Sequence, residues 1–90
     1  MNRVRIYTED KNALSVNRII GEHFNSYTVF PATGVWHGVS ETSIIIEILT
    51  SCDICTTREK IASICQAIKK HNKQEAVLYT IEQDILAITV

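Results

Sequence analysis

A chain of 90 residues with one proline and three glycines has the size of one domain and excludes linker, collagen-like and low-complexity classes. Its hydrophobic share of 46 % and charged share of 21 % exclude a disordered chain. A formal net charge of −1 argues against general electrostatic attraction to nucleic acid or to an anionic membrane. We therefore expect a single globular domain over residues 1–90.

The apolar runs and the cysteines bear on the compartment. No apolar stretch of signal-peptide length follows Met1, and the longest purely aliphatic run, Ile44 to Ile46, is too short to span a bilayer. Three cysteines, an odd number, fit a reducing compartment better than a disulfide framework. The sequence therefore predicts a cytoplasmic protein with no membrane segment.

The first predicted elements are a strand and a helix. Val4 and Ile6 alternate with more polar neighbours, which predicts a strand with one buried face. From Ala13 the apolar residues change to helical spacing. The stripe that they form comprises Val16, Ile19, Ile20 and Phe24.

The next segment predicts a short strand and a connection. Tyr27–Phe30 is rich in β-branched and aromatic residues, which favours a second strand, and Pro31 either ends this strand or places it at a sheet edge. Gly34 and Gly38 then flank the single tryptophan. We expect this glycine-flanked segment to be a loop between two strands.

The second half of the chain repeats the pattern. Residues 43–49 predict a central strand, because aliphatic side chains occupy both alternating sets. Thr56 and Glu59 have the spacing of a capping box, which predicts the start of a second helix. Residues 76–81 predict a fourth strand, and residues 85–90 allow a short extra edge strand. The apolar stripe of the second helix comprises Ile61, Ile64, Cys65 and Ile68.

This order of elements, β-α-β-β-α-β, is that of the ferredoxin-like sandwich, an α+β fold. We expect an antiparallel sheet with both helices on one face and with the other face open.

The cysteines are weak candidates for a metal or redox site. Cys52 and Cys55 have the CxxC spacing of a redox pair or of half a zinc site. The further ligands nearest in sequence are Cys65, on the predicted buried stripe, and His71. No parallel βαβ unit surrounds the motif, as a thioredoxin-like pair would require. We therefore expect no metal and no cofactor.

The glycine-flanked segment carries candidate binding groups. Trp36 offers a ring of the kind that stacks on bases or packs at interfaces. His37 and Glu41 could act as an acid–base pair, with Ser40 between them, but nothing in the sequence orients a triad. Binding is therefore favoured over catalysis, and the alternative is that Trp36 covers one end of the core.

The open face of the predicted sheet mixes charged, aromatic and aliphatic side chains. An open face with aliphatic residues is usually covered by another subunit or by a ligand, so we expect self-association. Arginine beside tyrosine suits a planar anionic ligand such as a nucleotide. The residues expected on this face are Arg3, Arg5, Tyr7, Ile45, Glu47 and Leu49.

Two short motifs resemble those of a group of small proteins from phages, prophages and mobile elements. The first, W-x-G-x-x-E, consists of Trp36, Gly38 and Glu41, and the second, QE-x-V-L, starts at Gln74 and Glu75. This resemblance implies a ferredoxin-like fold and assigns no catalytic residues. In fold the chain also resembles the trimeric PII-type signalling proteins, which bind nucleotides at clefts between subunits, although it lacks their long flexible loop.

The sequence thus predicts a non-enzymatic, oligomeric binding protein that holds a nucleotide-like or other anionic small molecule in clefts between its subunits. In a phage, such an anti-defence protein would sequester a host immune signal in the host cytoplasm. Two alternatives stay open, namely a protein–protein inhibitor of a host defence protein and a small enzyme that uses His37 and Glu41. The predicted ligand-binding residues are Arg3, Arg5, Tyr7, Trp36, His37 and Glu41.

Overall fold

The structure, a computed structural model, describes all residues from Met1 to Val90. Its four strands form one antiparallel sheet in the order β2-β3-β1-β4, which confirms the predicted ferredoxin-like α+β sandwich. Neither helix combines the length and the apolar composition needed to cross a membrane. The elements are β1 Asn2–Glu9, α1 Ala13–Gly21, β2 Thr28–Trp36, β3 Val39–Thr50, α2 Ile54–Asn72 and β4 Leu78–Glu82.

The core lies between the two helices and one face of the sheet. Val4 and Ile6 of β1 are fully buried, whereas the residues that alternate with them are half-buried on the other face. Ile46 pairs with Ile6, so β3 adds its own buried row to the same face. The helices complete this core with Val16, Ile20, Ile61, Ile64, Cys65 and Ile68.

Helix α2 begins earlier than the capping box predicted. Its N-cap is Asp53, whose Oδ1 accepts a hydrogen bond from the Thr56 backbone N–H at 2.8 Å, and whose Oδ2 accepts one from Thr56 Oγ1 at 2.9 Å. These hydrogen bonds lower the pKa of Asp53. The predicted box with Glu59 is wrong, because a carboxylate at the N-cap satisfies the first-turn N–H groups and also complements the helix dipole.

The segment predicted as a loop is instead the end of a long hairpin. Strand β2 continues to Trp36 and β3 begins at Val39, so the turn consists of His37 and Gly38 alone. These two residues have φ of 50° and 77°, as a type I′ turn requires. Of the two roles predicted for Pro31, the structure has the edge position: β2 continues past Pro31 at the edge of the sheet, where a missing N–H costs no ladder hydrogen bond.

Residues 85–90 form no strand, so the extra edge strand is absent. Asp84 has a left-handed backbone with φ of 59°, which turns the chain away from β4. The Ile85 N–H then donates to the Met1 carbonyl oxygen at 2.9 Å, while Leu86 and Ile88 stay exposed. A segment with alternating apolar residues does not form a strand unless a neighbouring strand supplies backbone hydrogen bonds.

We expect Ile61→Ala to lower the free energy of unfolding by about 2–5 kcal/mol, because it leaves a cavity at a fully buried site of α2. The matched change Leu14→Ala, at an exposed position of α1, should alter it by less than about 0.5 kcal/mol. Urea unfolding followed by circular dichroism measures both. Similar losses in the two variants would contradict the helix packing described above.

Candidate functional site

A cleft of about 560 Å³ opens between the end of the β2–β3 hairpin and the connection from α2 to β4. Its volume falls within the range of roughly 300–1,000 Å³ that is typical of small-molecule sites. The floor is the C-terminal end of β1. The lining comprises Tyr7, Thr8, Glu9, Gly34, Val35, Trp36, Glu41, Ser43 and residues 73–78.

Strand register brings the polar residues of this cleft together. Glu9 is paired with Ser43, and Gly34 is paired with Glu41. Paired residues of antiparallel strands present their side chains on the same face, so these groups share the open face with Tyr7. A Cβ on Gly34 would lie 2.6 Å from Ser43 Oγ, so a side chain at this position would require Ser43 to move. Glycine therefore allows the close approach.

Two carboxyl groups meet in the cleft. Burial raises the pKa of Glu41, and a hydrogen bond with Glu9 and the negative charge of Glu9 raise it further. Lys11 Nζ lies 2.7 Å from Glu9 Oε2, and this hydrogen bond lowers the pKa of Glu9. Glu9 therefore keeps its charge to lower pH, and Glu41 is the first of the two to take up a proton.

The two motifs identified in the sequence meet at this cleft. Trp36 Nε1 donates a hydrogen bond to Glu75 Oε2 at 2.8 Å, and His37 Nε2 lies 3.7 Å from the same oxygen. The rings of Trp36 and His37 pack edge to face with their centroids 4.8 Å apart. Next to Glu75, Gln74 Oε1 accepts a hydrogen bond from Thr8 Oγ1 at 2.7 Å.

Four of the predicted ligand-binding residues lie in or beside the cleft. Tyr7, Trp36 and Glu41 line it, and His37 stands at its rim with a side chain that is 74 % exposed. The predicted acid–base pair of His37 and Glu41 is not formed. His37 contacts Glu75 instead, while Glu41 forms a hydrogen bond with Glu9.

Arg3 and Arg5 lie outside the cleft, towards the start of β1 on the open face. Arg3 Nη2 is 2.7 Å from Glu82 Oε1, and both arginines lie within 3.7 Å of Glu47 Oε1. The hydrogen bond between Arg3 and Glu82 raises the pKa of Arg3 and lowers that of Glu82. The Nε atoms of both arginines are buried without a hydrogen-bond partner. Their role in ligand binding stays a prediction.

Two carboxylates of the cleft, those of Glu9 and Glu75, are not among the predicted site residues. Glu9 could have been found, because strand alternation places it on the same face as Tyr7. Glu75 belonged to a recognised motif, yet nothing in the sequence showed that it would meet Trp36.

The cysteines and the acidic groups form no metal site. All three cysteines are free thiols, and burial raises the pKa of Cys65 to about 12. No group of three or more His, Cys, Asp or Glu side chains is arranged to hold a metal ion.

Comparison with solved structures identifies shared folds. No family model matches the sequence, and no curated protein matches it. The chain is similar to a phage SAM lyase in complex with S-methyl-5′-thioadenosine, with a TM-score of 0.75 and 19 % sequence identity. That match covers 99 % of this chain and 89 % of the lyase chain.

Two further structures have the same architecture. A DUF3240 family protein from Shewanella baltica OS155 matches with a TM-score of 0.76 and 9 % identity over 99 % of this chain and 94 % of that one. CPII, a nitrogen regulatory PII-like protein from Thiomonas intermedia K12 bound to ADP, AMP and bicarbonate, matches with a TM-score of 0.67, 9 % identity and the same coverage. The predicted resemblance to PII-type proteins is thus confirmed for the fold.

The expectation of a non-enzymatic protein is corrected by these comparisons. An enzyme, the phage SAM lyase, shares the fold over 99 % of this chain, both with its ligand and in its apo state. The sequence contains no nucleophile motif, metal cluster or cofactor loop, which makes catalysis the least favoured of the three predicted functions. The absence of these motifs therefore does not exclude catalysis by this fold.

We expect Glu41→Gln to raise the melting temperature at neutral pH. Folding raises the pKa of Glu41. Protonated Glu41 therefore stabilises the fold fully at a pH below its pKa in the unfolded chain, and this stabilisation is lost as the pH rises through its pKa in the folded protein. Glutamine cannot ionise, so the gain should disappear at acidic pH, where Glu41 is already protonated.

Thermal unfolding of the wild type and of Glu41→Gln, at neutral and at acidic pH, measures this effect. Glu59→Gln, at an exposed position of α2, is the control and should change neither melting temperature. A lower melting temperature of Glu41→Gln at neutral pH would contradict the raised pKa.

Proposed function

We propose that this protein is an enzyme of phage type that binds a nucleoside in the cleft, with S-adenosylmethionine as its substrate. The observation that carries the proposal is an aromatic wall beside paired carboxyl groups, Trp36 and Tyr7 beside Glu9 and Glu41, in one cavity. Purines stack on aromatic rings, and carboxylates accept hydrogen bonds from ribose hydroxyls. The nucleoside thioether bound by the phage lyase of the same fold supports this proposal.

The charge of the cleft favours a cationic nucleoside. Its lining carries three carboxyl groups, those of Glu9, Glu41 and Glu75, and one ammonium group, that of Lys73. A second ammonium group, that of Lys11, pairs with Glu9 from outside the lining, so carboxyl groups outnumber ammonium groups by one. A sulfonium ion is attracted by this negative potential and by the faces of the aromatic rings. A phosphate group would be repelled by the same carboxylates. A sulfonium nucleoside therefore fits this cleft better than the anionic ligand that the sequence predicted.

The proposed reaction places few demands on the protein. The bond between the sulfonium sulfur and the γ-carbon of the methionine part breaks, and its electron pair stays on sulfur, which leaves the neutral S-methyl-5′-thioadenosine. The substrate's own carboxylate oxygen attacks the γ-carbon and closes a lactone, so the step consumes no water and transfers no proton. The residues of the cleft then have to hold the folded-back substrate and exclude water.

We expect the purified protein to convert S-adenosylmethionine into S-methyl-5′-thioadenosine faster than the spontaneous reaction. Mass spectrometry of both compounds measures the rate, and denatured protein supplies the background. The double variant Glu9→Gln/Glu41→Gln should lose about tenfold or more in kcat/KM, because it weakens charged hydrogen bonds to the substrate.

The matched variant Glu59→Gln, on the exposed side of α2, should keep the wild-type rate. A wild-type rate equal to background would refute the enzymatic proposal. Tighter calorimetric binding of AMP than of S-methyl-5′-thioadenosine would refute the argument from charge.

We further propose that the open face of the sheet joins copies of this chain. Leu49 and Leu78 are exposed there, and Phe30 and Ile45 are half-buried beside them. A second copy would cover these apolar side chains.

Light scattering should give a mass that is a multiple of the 10.2 kDa chain. Leu49→Asp should reduce this mass to that of one chain, because it places a charge in the buried part of the contact. Leu86→Asp, beyond the end of β4, is the control and should leave the mass unchanged. A wild-type protein that stays monomeric at high concentration would contradict the proposal.

A further inference from the structure

We propose that Glu75 is a positioning residue that holds the indole of Trp36 across the mouth of the cleft. The proposed function gives Trp36 a stacking role and counts Glu75 only towards the charge of the cleft. Their hydrogen bond, at 2.8 Å, joins the end of the β2–β3 hairpin to the connection between α2 and β4. These two segments form opposite sides of the cleft.

Packing does not fix the position of the indole. Trp36 is 47 % exposed, and Val35 and Val39 beside it are each 68 % exposed, so the hairpin end projects beyond the core. Along β3, Ile44 is the buried residue nearest to the turn. Besides the edge-to-face contact with His37 on the same hairpin, the hydrogen bond from the opposite side of the cleft is therefore the contact that can set where the ring lies.

The connection that carries Glu75 is itself anchored to the core. Gln74 Oε1 accepts hydrogen bonds from Thr8 Oγ1 at 2.7 Å and from Asn72 Nδ2 at 2.9 Å. Asn72 Oδ1 accepts a further one from Asn12 Nδ2 at 3.0 Å. Because Thr8 and Asn72 are buried, Glu75 extends from a fixed base towards the projecting hairpin.

The contact is a strong one for an exposed hydrogen bond. A carboxylate makes a strong, charge-assisted acceptor for the indole N–H, and the His37 ring lies 3.7 Å from the same oxygen. Although the side chains of His37 and Glu75 are each 74 % exposed, the charge of the acceptor keeps the hydrogen bond favourable. The indole is thereby held where a ligand can stack on it.

Tryptophan fluorescence tests the position of the indole without any ligand, because Trp36 is the only tryptophan. Glu75→Ala should raise the acrylamide quenching constant about twofold. The indole is 47 % exposed in the structure, and a released indole would be almost fully exposed to the quencher. Glu75→Gln keeps an acceptor oxygen and should stay close to wild type. Glu59→Ala, on the exposed side of α2, is the matched control.

The melting temperature of each variant is measured alongside, so that unfolding is not mistaken for release of the ring. Equal quenching in wild type and in Glu75→Ala, at equal melting temperature, would overturn the proposal.

A binding experiment tests the role of Glu75 in the site, and this arm rests on the proposed function. Glu75→Ala should weaken calorimetric binding of S-methyl-5′-thioadenosine about fivefold, the effect of one hydrogen bond. The same change in a Trp36→Phe background should have no effect, because phenylalanine has no N–H to hold. Equal losses in both backgrounds would overturn the positioning role.

The two proposals fail in different ways. Absence of nucleoside binding by the wild-type protein would refute the proposed function. The quenching comparison would still decide by itself whether Glu75 holds Trp36.

Discussion

The antiparallel pairing of β1 with β3 is the constraint on which the structure depends. Buried branched side chains alternate along both strands, and Ile6 lies opposite Ile46. A shift of one residue would turn the whole apolar row of one strand to the open face, so burial fixes the register. The same register places Glu9 opposite Ser43 at the far end of the pair. The geometry of the acidic cleft is therefore a consequence of how the core packs.

The elements that bury one face could be predicted from the sequence, and the ends of the hairpin and of the chain could not. The apolar stripes of both helices follow local periodicity, and they form the core as expected. The extension of β2 to Trp36 depends on hydrogen bonds to β3, which outweigh the weak strand propensity of a segment with proline and glycine. Residues 85–90, in contrast, have the apolar pattern of a strand but form none, because no strand pairs with them.

The candidate site was only partly predictable, because its contacts join residues that are distant in sequence. Tyr7, Trp36 and Glu41 were identified as binding residues by their chemical type, and they line one cleft. Chemical type alone also suggested Arg3 for binding an anion. The strands that flank β1 instead supply carboxylates to that guanidinium, which no local pattern reveals.

Pro31 has a consequence for how the protein behaves at high concentration. In a two-residue hairpin the residues that flank the turn bond to each other, so every second residue of β2 outward from Val35 directs its backbone away from the sheet. Pro31 is one of these residues and has no N–H to offer. Strand β2 is the longest free edge of the molecule and is rich in β-branched residues such as Val29 and Thr33. At Pro31 this edge lacks one backbone hydrogen-bond donor, which interrupts cross-β pairing with a second molecule and protects the fold against fibril growth.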